Sequence, residues 1–260
     1  MKIATFNVNG INARLPRLVE WLGEAQPDVV CLQELKTSDE SFPEAAITEA
    51  GYGAVWHGQK GFNGVAILAK GVRPEEIRRG LPGDPDDAHS RYLEARVNGC
   101  VIASIYLPNG NPQPGPKFDY KLAWFERLIA HAEELLALEV PVVLAGDYNV
   151  CPEDRDAFSM QAMANDALVQ PQSRTAYRRL LFQGWTDALR HVHPDDDKLY
   201  TFWDYQAGCW PRNAGLRIDH FLLSPQAADR LTDAQVDRTA RAREKSSDHT
   251  PVWISLRDRP

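Results

Sequence analysis

The chain has 260 residues, 43% of them hydrophobic and 25% charged, with a formal net charge of −7. Those fractions are ordinary for a globular protein with an ample core. The acidic balance excludes a non-specific nucleic-acid coat protein, which would be basic throughout, but leaves room for an enzyme with a local basic rim around a cleft.

In chain order, the first strand pattern is "KIATFNV" (2–8), followed by a helical pattern over Arg14–Glu24 and a second strand, "DVVCLQE" (28–34). Next come "GVAILAK" (64–70), "YLEARV" (92–97) and "CVIASIYL" (100–107), rich in β-branched residues and flanked by Gly, Pro or Asn. Asn98-Gly99, between the last two, reads as a hairpin turn. Residues 81–90 and 107–116 are Pro/Gly-rich loops, the second long enough to carry function. A helix is expected over Lys117–Leu138, where Leu122, Phe125, Leu128, Ile129, Ala132, Leu135 and Leu136 recur at helical spacing and Pro141 stops the pattern. "VPVVLAGD" (140–147) is a strand and Glu153–Ala167 a third helix; "RIDHFLLS" (217–224) and "PVWISL" (251–256) are the last strands.

Hairpins combined with crossover helices imply an α/β (α+β) chain with mixed sheets and helices outside. With no linker, low-complexity tract or repeat, a single domain over 1–260 is expected. No window approaches the roughly 18 apolar residues of a membrane span, and "MKIATFNVNG" turns polar at once, so neither a membrane partner nor a signal peptide is expected. Of the four cysteines none sits in a CxxC pair, and Cys31 and Cys100 lie in apolar runs. The expectation is a reduced, cytoplasmic protein without disulfides.

Six apolar strands deliver a polar group at or near an end: Asn7 and Asn9, Gln33-Glu34, Tyr106 and Asn109, Asp147 and Asn149, Asp219-His220, and Asp248-His249 before the last strand. Any one of these is ordinary turn chemistry. Six together imply that the groups partner each other and a metal at one edge of the sheets, since buried charges need partners. Glu34, Asp248 and the amides are hard oxygen donors, which suit Mg²⁺ or Mn²⁺. The histidines form no HxxxH or HExxH pair, which disfavours zinc. With no P-loop, GxGxxG or GxSxG, the pattern reads as phosphoester hydrolysis.

"FNVNGINAR", "LQELK", "GVAILAK", "YLPNG", "LAGDYNVCPEDRD", "YTFWDY", "GLRIDHFLLS" and "SSDHTPV", in that order from residue 2 to about 256, resemble the exodeoxyribonuclease III and AP endonuclease family of the endonuclease/exonuclease/phosphatase superfamily. The resemblance implies a DNase I-like four-layer sandwich, two mixed sheets flanked by helices, with the site at one rim between the sheets. It implies Mg²⁺-dependent cleavage of double-stranded DNA, incision 5′ to abasic sites, trimming of blocked 3′ ends and 3′→5′ degradation. It places Glu34 on the metal with Asn7 beside it and Asp248 in support. Asn9 stands where some members carry Asp, which implies a weaker or water-mediated contact. Asp147 would orient or deprotonate the attacking water, and Asn149 would hold Asp147 or a phosphate oxygen. Tyr106 and Asn109 would touch the scissile phosphate, and His249, oriented by Asp219, would stabilise its charge.

The same resemblance makes Phe202, Leu216 and Ile218 walls of a pocket for a flipped-out, baseless sugar, which is cheap to extrude because no base is unstacked. Trp203 is either a further wall or plain core. Gln206–Asn213 would press into the duplex groove, with Trp210 as a wedge. Arg238, Arg241, Arg243 and Lys245 precede the Asp248-His249 pair and are expected on phosphates, with Lys36, Arg73, Arg78 and Arg79 as weaker candidates. The expected assembly is a monomer. Two other readings remain: a phosphoinositide or phospholipid-headgroup phosphatase of the same superfamily, and a catalytically silent DNA-binding relative.

Overall fold

Residues 1–258 are described by a computed structural model. The first half of the chain runs β1 (Lys2–Asn7), α1 (Ile11–Ala25), β2 (Val29–Gln33), α2 (Glu44–Glu49), β3 (Tyr52–His57), β4 (Val65–Lys70), β5 (Glu75–Arg79), β6 (Tyr92–Val97) and β7 (Cys100–Tyr106). It continues through α3 (Pro116–Leu136), β8 (Val142–Asp147), α4 (Met160–Met163), α5 (Pro171–Phe182), β9 (Thr186–Asp187) and α6 (Ala188–Val192). It closes with β10 (Asp219–Leu223), α7 (Pro225–Ala228), β11 (Leu231–Val236), α8 (Arg238–Arg241) and β12 (Val252–Leu256).

Two six-stranded mixed sheets result, in the orders β11-β12-β1-β2-β4-β3 and β5-β6-β7-β8-β10-β9. Three apolar clusters give the layering. Ile3, Val29, Cys31, Ile67, Ile102, Val143, Phe221 and Ile254 pack between the sheets. Leu18, Trp21, Leu22 and Ile47 join one sheet to α1 and α2. Trp124, Phe125, Leu128, Tyr177 and Leu180 join the other to α3 and α5. This is the expected four-layer sandwich.

The side-chain period of two explains where the polar strand ends go. Along β8, Val143 and Ala145 face the other sheet while Val142 and Leu144 face the helices, so Asp147 continues the inner row. The same parity carries Asn7 after Ile3, Tyr106 after Ile102, and Asp219 before Phe221. Parallel β1–β2 and β7–β8 pairs, with antiparallel β10–β8 and β1–β12 pairs, bring all these ends to one rim. Asp147 lies directly opposite Asp219 in that register.

The expected helix over Glu153–Ala167 does not form. Glu153 and Asp156 close a reciprocal capping box around a single 3₁₀ turn, Ala157 bridges to Leu216, and Ser159 caps the short α4. Asp156 is fully buried on Arg217, which draws the chain inward and breaks the helical run. Helix α5 and strands β3, β5, β9 and β11 carry no clean apolar alternation and were not legible; β5, "EEIRR", is exposed throughout.

Candidate active site

Glu34 follows β2 at φ 54°, held there by backbone bonds from Gly10 to its carbonyl and from Leu35 to Gly64. Its Oε1 accepts from Asn7 Nδ2 at 3.0 Å and from the Tyr106 hydroxyl at 2.8 Å; Lys36 Nζ lies 2.9 Å from Oε2. Burial alone would raise the Glu34 pKa, but the bonds from Asn7 and Lys36 outweigh it and hold it below the usual value. Asn7 Nδ2 also donates to Asp147 Oδ2 at 3.0 Å, so one amide joins the two carboxylates. Asp147 Oδ1 accepts from the Asn149 backbone N–H at 2.9 Å.

His249 Nδ1 stands 2.9 Å from Asp219 Oδ2, and its Nε2 faces Asp147 Oδ2 at 3.8 Å. Thr201 Oγ1 donates to the same Asp219 oxygen at 2.6 Å, while Asp219 Oδ1 is buried without a partner. Burial works to lower the imidazole pKa, but Asp219 and then Asp147 reverse it and push it up to about 10. Asp147 is pushed up to about 7, first by burial and then by Asp219 and Glu34, against the pull of His249.

Glu34, Asp147 and His249 each present a ligand atom within 4.8 Å of the others. The arrangement fits a hard divalent cation: burial first, then the neighbouring Asp219 and Glu34 carboxylates, keep Asp147 from ionising at its ordinary pH, and a cation nearby would offset both. Asp248 stands beside this cluster, its Oδ1 accepting from Asn9 Nδ2 at 3.1 Å. Asn9 Oδ1 is held by Lys36. Asn109 Nδ2 donates to Asn149 Oδ1 at 3.0 Å.

Above the cluster opens a cavity of about 500 Å³. Phe202, Leu216 and Ile218 line it as expected, together with Glu34, Tyr106, Asn109, Asp147, Asn149, Asp248 and His249. Phe158, Met163 and Leu168 also line it and were missed, the first two because they fall in the segment read as a helix; Gln206, Ala207 and Cys209, from the segment expected against the duplex, line it too.

Trp203 is not a wall. It is fully buried, bonds Asn213 through Nε1, and packs edge-on against Trp210. Trp210 is thereby turned inward, under Arg238 and Arg241, and does not project as a wedge. Arg241 is buried too, donating to the Trp203 carbonyl and to Ser246 Oγ, so it is not free for phosphate. Arg243 pairs with Glu20 and Glu24 on α1. Arg73 and Arg79 pair with Glu44, and with Asp39 and Glu76. Arg241 and Arg243 thus brace the loops behind the site. Of the expected cations, Lys36 is the one that stands at the cluster.

Sequence reasoning also missed Lys121, fully buried beneath the site, whose amine burial lowers to about pKa 7. It missed Arg217, which binds Asp156 and Asp187 below β10. Phe62, 54% exposed, rises from the loop whose backbone bonds Leu35 and Lys36.

Two facing mixed sheets with a His–Asp pair, a carboxylate cluster and a walled cavity at one rim define a hydrolase of the α/β-sandwich class. The chain belongs to the Endonuclease/Exonuclease/phosphatase family, whose pattern matches residues 4–249. It is 34% identical to exodeoxyribonuclease III of Haemophilus influenzae, over 99% of this chain and 100% of that one. Its structure is similar to a 3′ phosphatase, NExo, from Neisseria bound to a product DNA hairpin, with a TM-score of 0.95 and 39% identity over 99% of each chain. It is also similar to an AP endonuclease from Archaeoglobus fulgidus, with a TM-score of 0.94 and 38% identity over 98% of this chain and 99% of that one.

Proposed function

We propose that this protein is a Mg²⁺-dependent DNA-repair nuclease, with Mn²⁺ as a substitute, that cleaves duplex DNA 5′ to abasic sites and trims blocked 3′ ends. The observation that carries the reading is the His249–Asp219 pair facing Asp147 beside Glu34, at the floor of an apolar-walled cavity. The relatives' names favour DNA over an inositol or phospholipid headgroup, and the set of chemical groups is too complete for a silent binding relative.

In this reading Glu34 would hold the ion, with Asn7 and Asp248 in support, and Asp147 is left to the water. When bound, the ion supplies charge neutralisation at the phosphate and acidifies water. Asp147 accepts the proton of the attacking water, a task suited to a carboxyl pushed up to about 7. His249, cationic through its contact with Asp219, donates to a phosphate oxygen and stabilises the charge that builds there. Tyr106, Asn109 and Asn149 orient the phosphate. Phe202, Leu216 and Ile218 receive the sugar, and a base-bearing nucleotide must unstack to enter. Lys36, with Arg14 and the half-exposed Phe62 and Tyr205, forms the rim that meets the backbone.

The test is a substrate panel: a duplex with a central abasic analogue, a hairpin ending in a 3′-phosphate, an intact duplex and inositol phosphates, each with Mg²⁺, Mn²⁺ or a chelator. Incision of the abasic duplex and release from the 3′-phosphate, both lost with chelator, are expected. Turnover of inositol phosphates with the DNA left intact would overturn the reading.

A further inference from the structure

Lys121 lies on the inward face of α3 with Phe118 and Phe125, which are three and four residues away. It is fully buried and makes no ion pair among the described residues. Burial lowers its pKa to about 7 against the pull of Asp147 and Asp166, and a buried amine in either form needs hydrogen-bond partners. Its Nζ donates to the carbonyl of Asn109 at 3.0 Å and to the carbonyl of Asn149. These carbonyls belong to two different loops, one after β7 and one after β8. The loops meet again through the bond from Asn109 Nδ2 to Asn149 Oδ1 at 3.0 Å, so lysine and amides form a closed ring. One residue further, the Asn149 N–H holds Asp147 Oδ1 at 2.9 Å.

The lysine stem is clamped as tightly as its head. Gly110 lies across it with φ +90°, and a Cβ added there would stand 2.6 Å from Lys121 Cδ. That same added Cβ would also stand 3.2 Å from Ala167 Cβ, so Gly110 is enclosed by the lysine stem and Ala167 together. Gly110 therefore packs directly on the stem, and the two carbonyl contacts at Nζ tie the spacing of the loops to it.

We propose that Lys121 is a positioning residue: its amine sets where the Asn109 and Asn149 side chains stand against the scissile phosphate. The inference rests on the nuclease reading above. It makes no contact with substrate necessary, and it predicts a loss in turnover rather than in binding.

The experiment measures kcat and KM on the abasic duplex for Lys121→Met, for Asn109→Ala and for the pair, with circular dichroism as the folding check. Lys121→Met should lower kcat about 10-fold to 100-fold, as expected when a positioned group drifts, while KM stays within about 3-fold. In the Asn109→Ala background the same change should cost less, because one of the two groups it positions is gone. A purely structural role would cost the same in both backgrounds, and that result overturns the inference. If Lys121→Met fails to fold, Gly110→Ala probes the same contact by pressing on the stem, and an unchanged kcat there overturns it. A wild-type protein that cannot incise sinks the nuclease reading and this inference together; an active wild type with an unchanged Lys121→Met sinks this inference alone.

Discussion

His249 and Asp219 meet at 2.9 Å between Nδ1 and Oδ2, deep in the rim where the two sheets face each other. The contact fixes the imidazole plane and leaves Nε2 toward Asp147. It also fixes the charge. Burial would empty the ring of its second proton, and the Asp219 carboxylate restores it, so the cation persists up to about pH 10.

Asp219→Asn should therefore act through both orientation and charge. The amide keeps the shape but withdraws the negative charge, so the His249 pKa falls and the alkaline limb of the pH–rate profile moves toward neutrality. A loss of about 10²- to 10⁴-fold in kcat at neutral pH is expected, the range for a displaced general acid–base group. A pH–rate profile with an unmoved alkaline limb would remove Asp219 from this role.

The basic segment before Asp248 gives a second prediction. Arg241 and Arg243 are held by Trp203, Ser246, Glu20 and Glu24 away from the cavity lining, whereas Lys36, held by Glu34 and Asn9, stands on a residue that lines it. Lys36→Ala should flatten the slope of log affinity against log salt on abasic duplex by about 1, one released counterion. Arg243→Ala should leave the slope unchanged. Arg241→Ala should leave it unchanged too while costing about 1–3 kcal/mol of stability through its lost carbonyl and hydroxyl bonds. Anisotropy titrations over a salt series decide this, and equal slopes for Lys36→Ala and Arg243→Ala would contradict the assignment.

The contrast shows what the sequence could carry. Polar groups at strand ends were legible because strand parity is a local rule: once Val143 and Ala145 face the core, Asp147 must follow them. Six local readings then converged because the chain brings those ends to one rim. The basic run was misread because charge partners are set by tertiary neighbours, and no local rule places Glu20 and Glu24 opposite Arg243. Trp203 could not be decided locally between wall and core for the same reason: its aromatic neighbour Trp210 and its partner Asn213 share a loop that folds back on it and make it core. Segment 153–167 failed because its helical composition is overridden by one buried ion pair, Asp156 with Arg217.

That ion pair leads to a prediction about acid. Arg217 binds Asp156 and Asp187, and it also donates to His220 Nδ1 at 3.2 Å, so His220 Nε2–H donates to the Val150 carbonyl at 2.9 Å. Burial, then Arg217, pulls the His220 pKa from 6.5 down to about 4. A depressed pKa contributes stability that is present above the unfolded value and lost as pH falls through the folded one. Between pH 6.5 and about 4 the unfolded chain takes up a proton that the native state refuses, at a cost of up to about 3 kcal/mol. Denaturant unfolding across that window should show wild-type stability falling more steeply than that of His220→Asn. Parallel curves would mean that His220 is not the group responsible.

Gly146 ties the fold to the chemistry most directly. It precedes Asp147 in β8 and pairs in register with Ile105 of the neighbouring strand. A Cβ at this position would stand 1.9 Å from the Ile105 carbonyl oxygen, a backbone atom that cannot swing aside as a flexible side chain would. Gly146→Ala must therefore push β8 away from β7. The strain should cost about 3 kcal/mol or more in stability. It should also separate Asp147 from Tyr106, its partner in that register. Because that partner holds Glu34 Oε1, the shift reaches both carboxylates of the cluster. The expected outcome is a lower unfolding midpoint together with a loss of turnover that persists at temperatures where the variant is fully folded. Full activity under those conditions would show that the close approach at Gly146 serves packing alone.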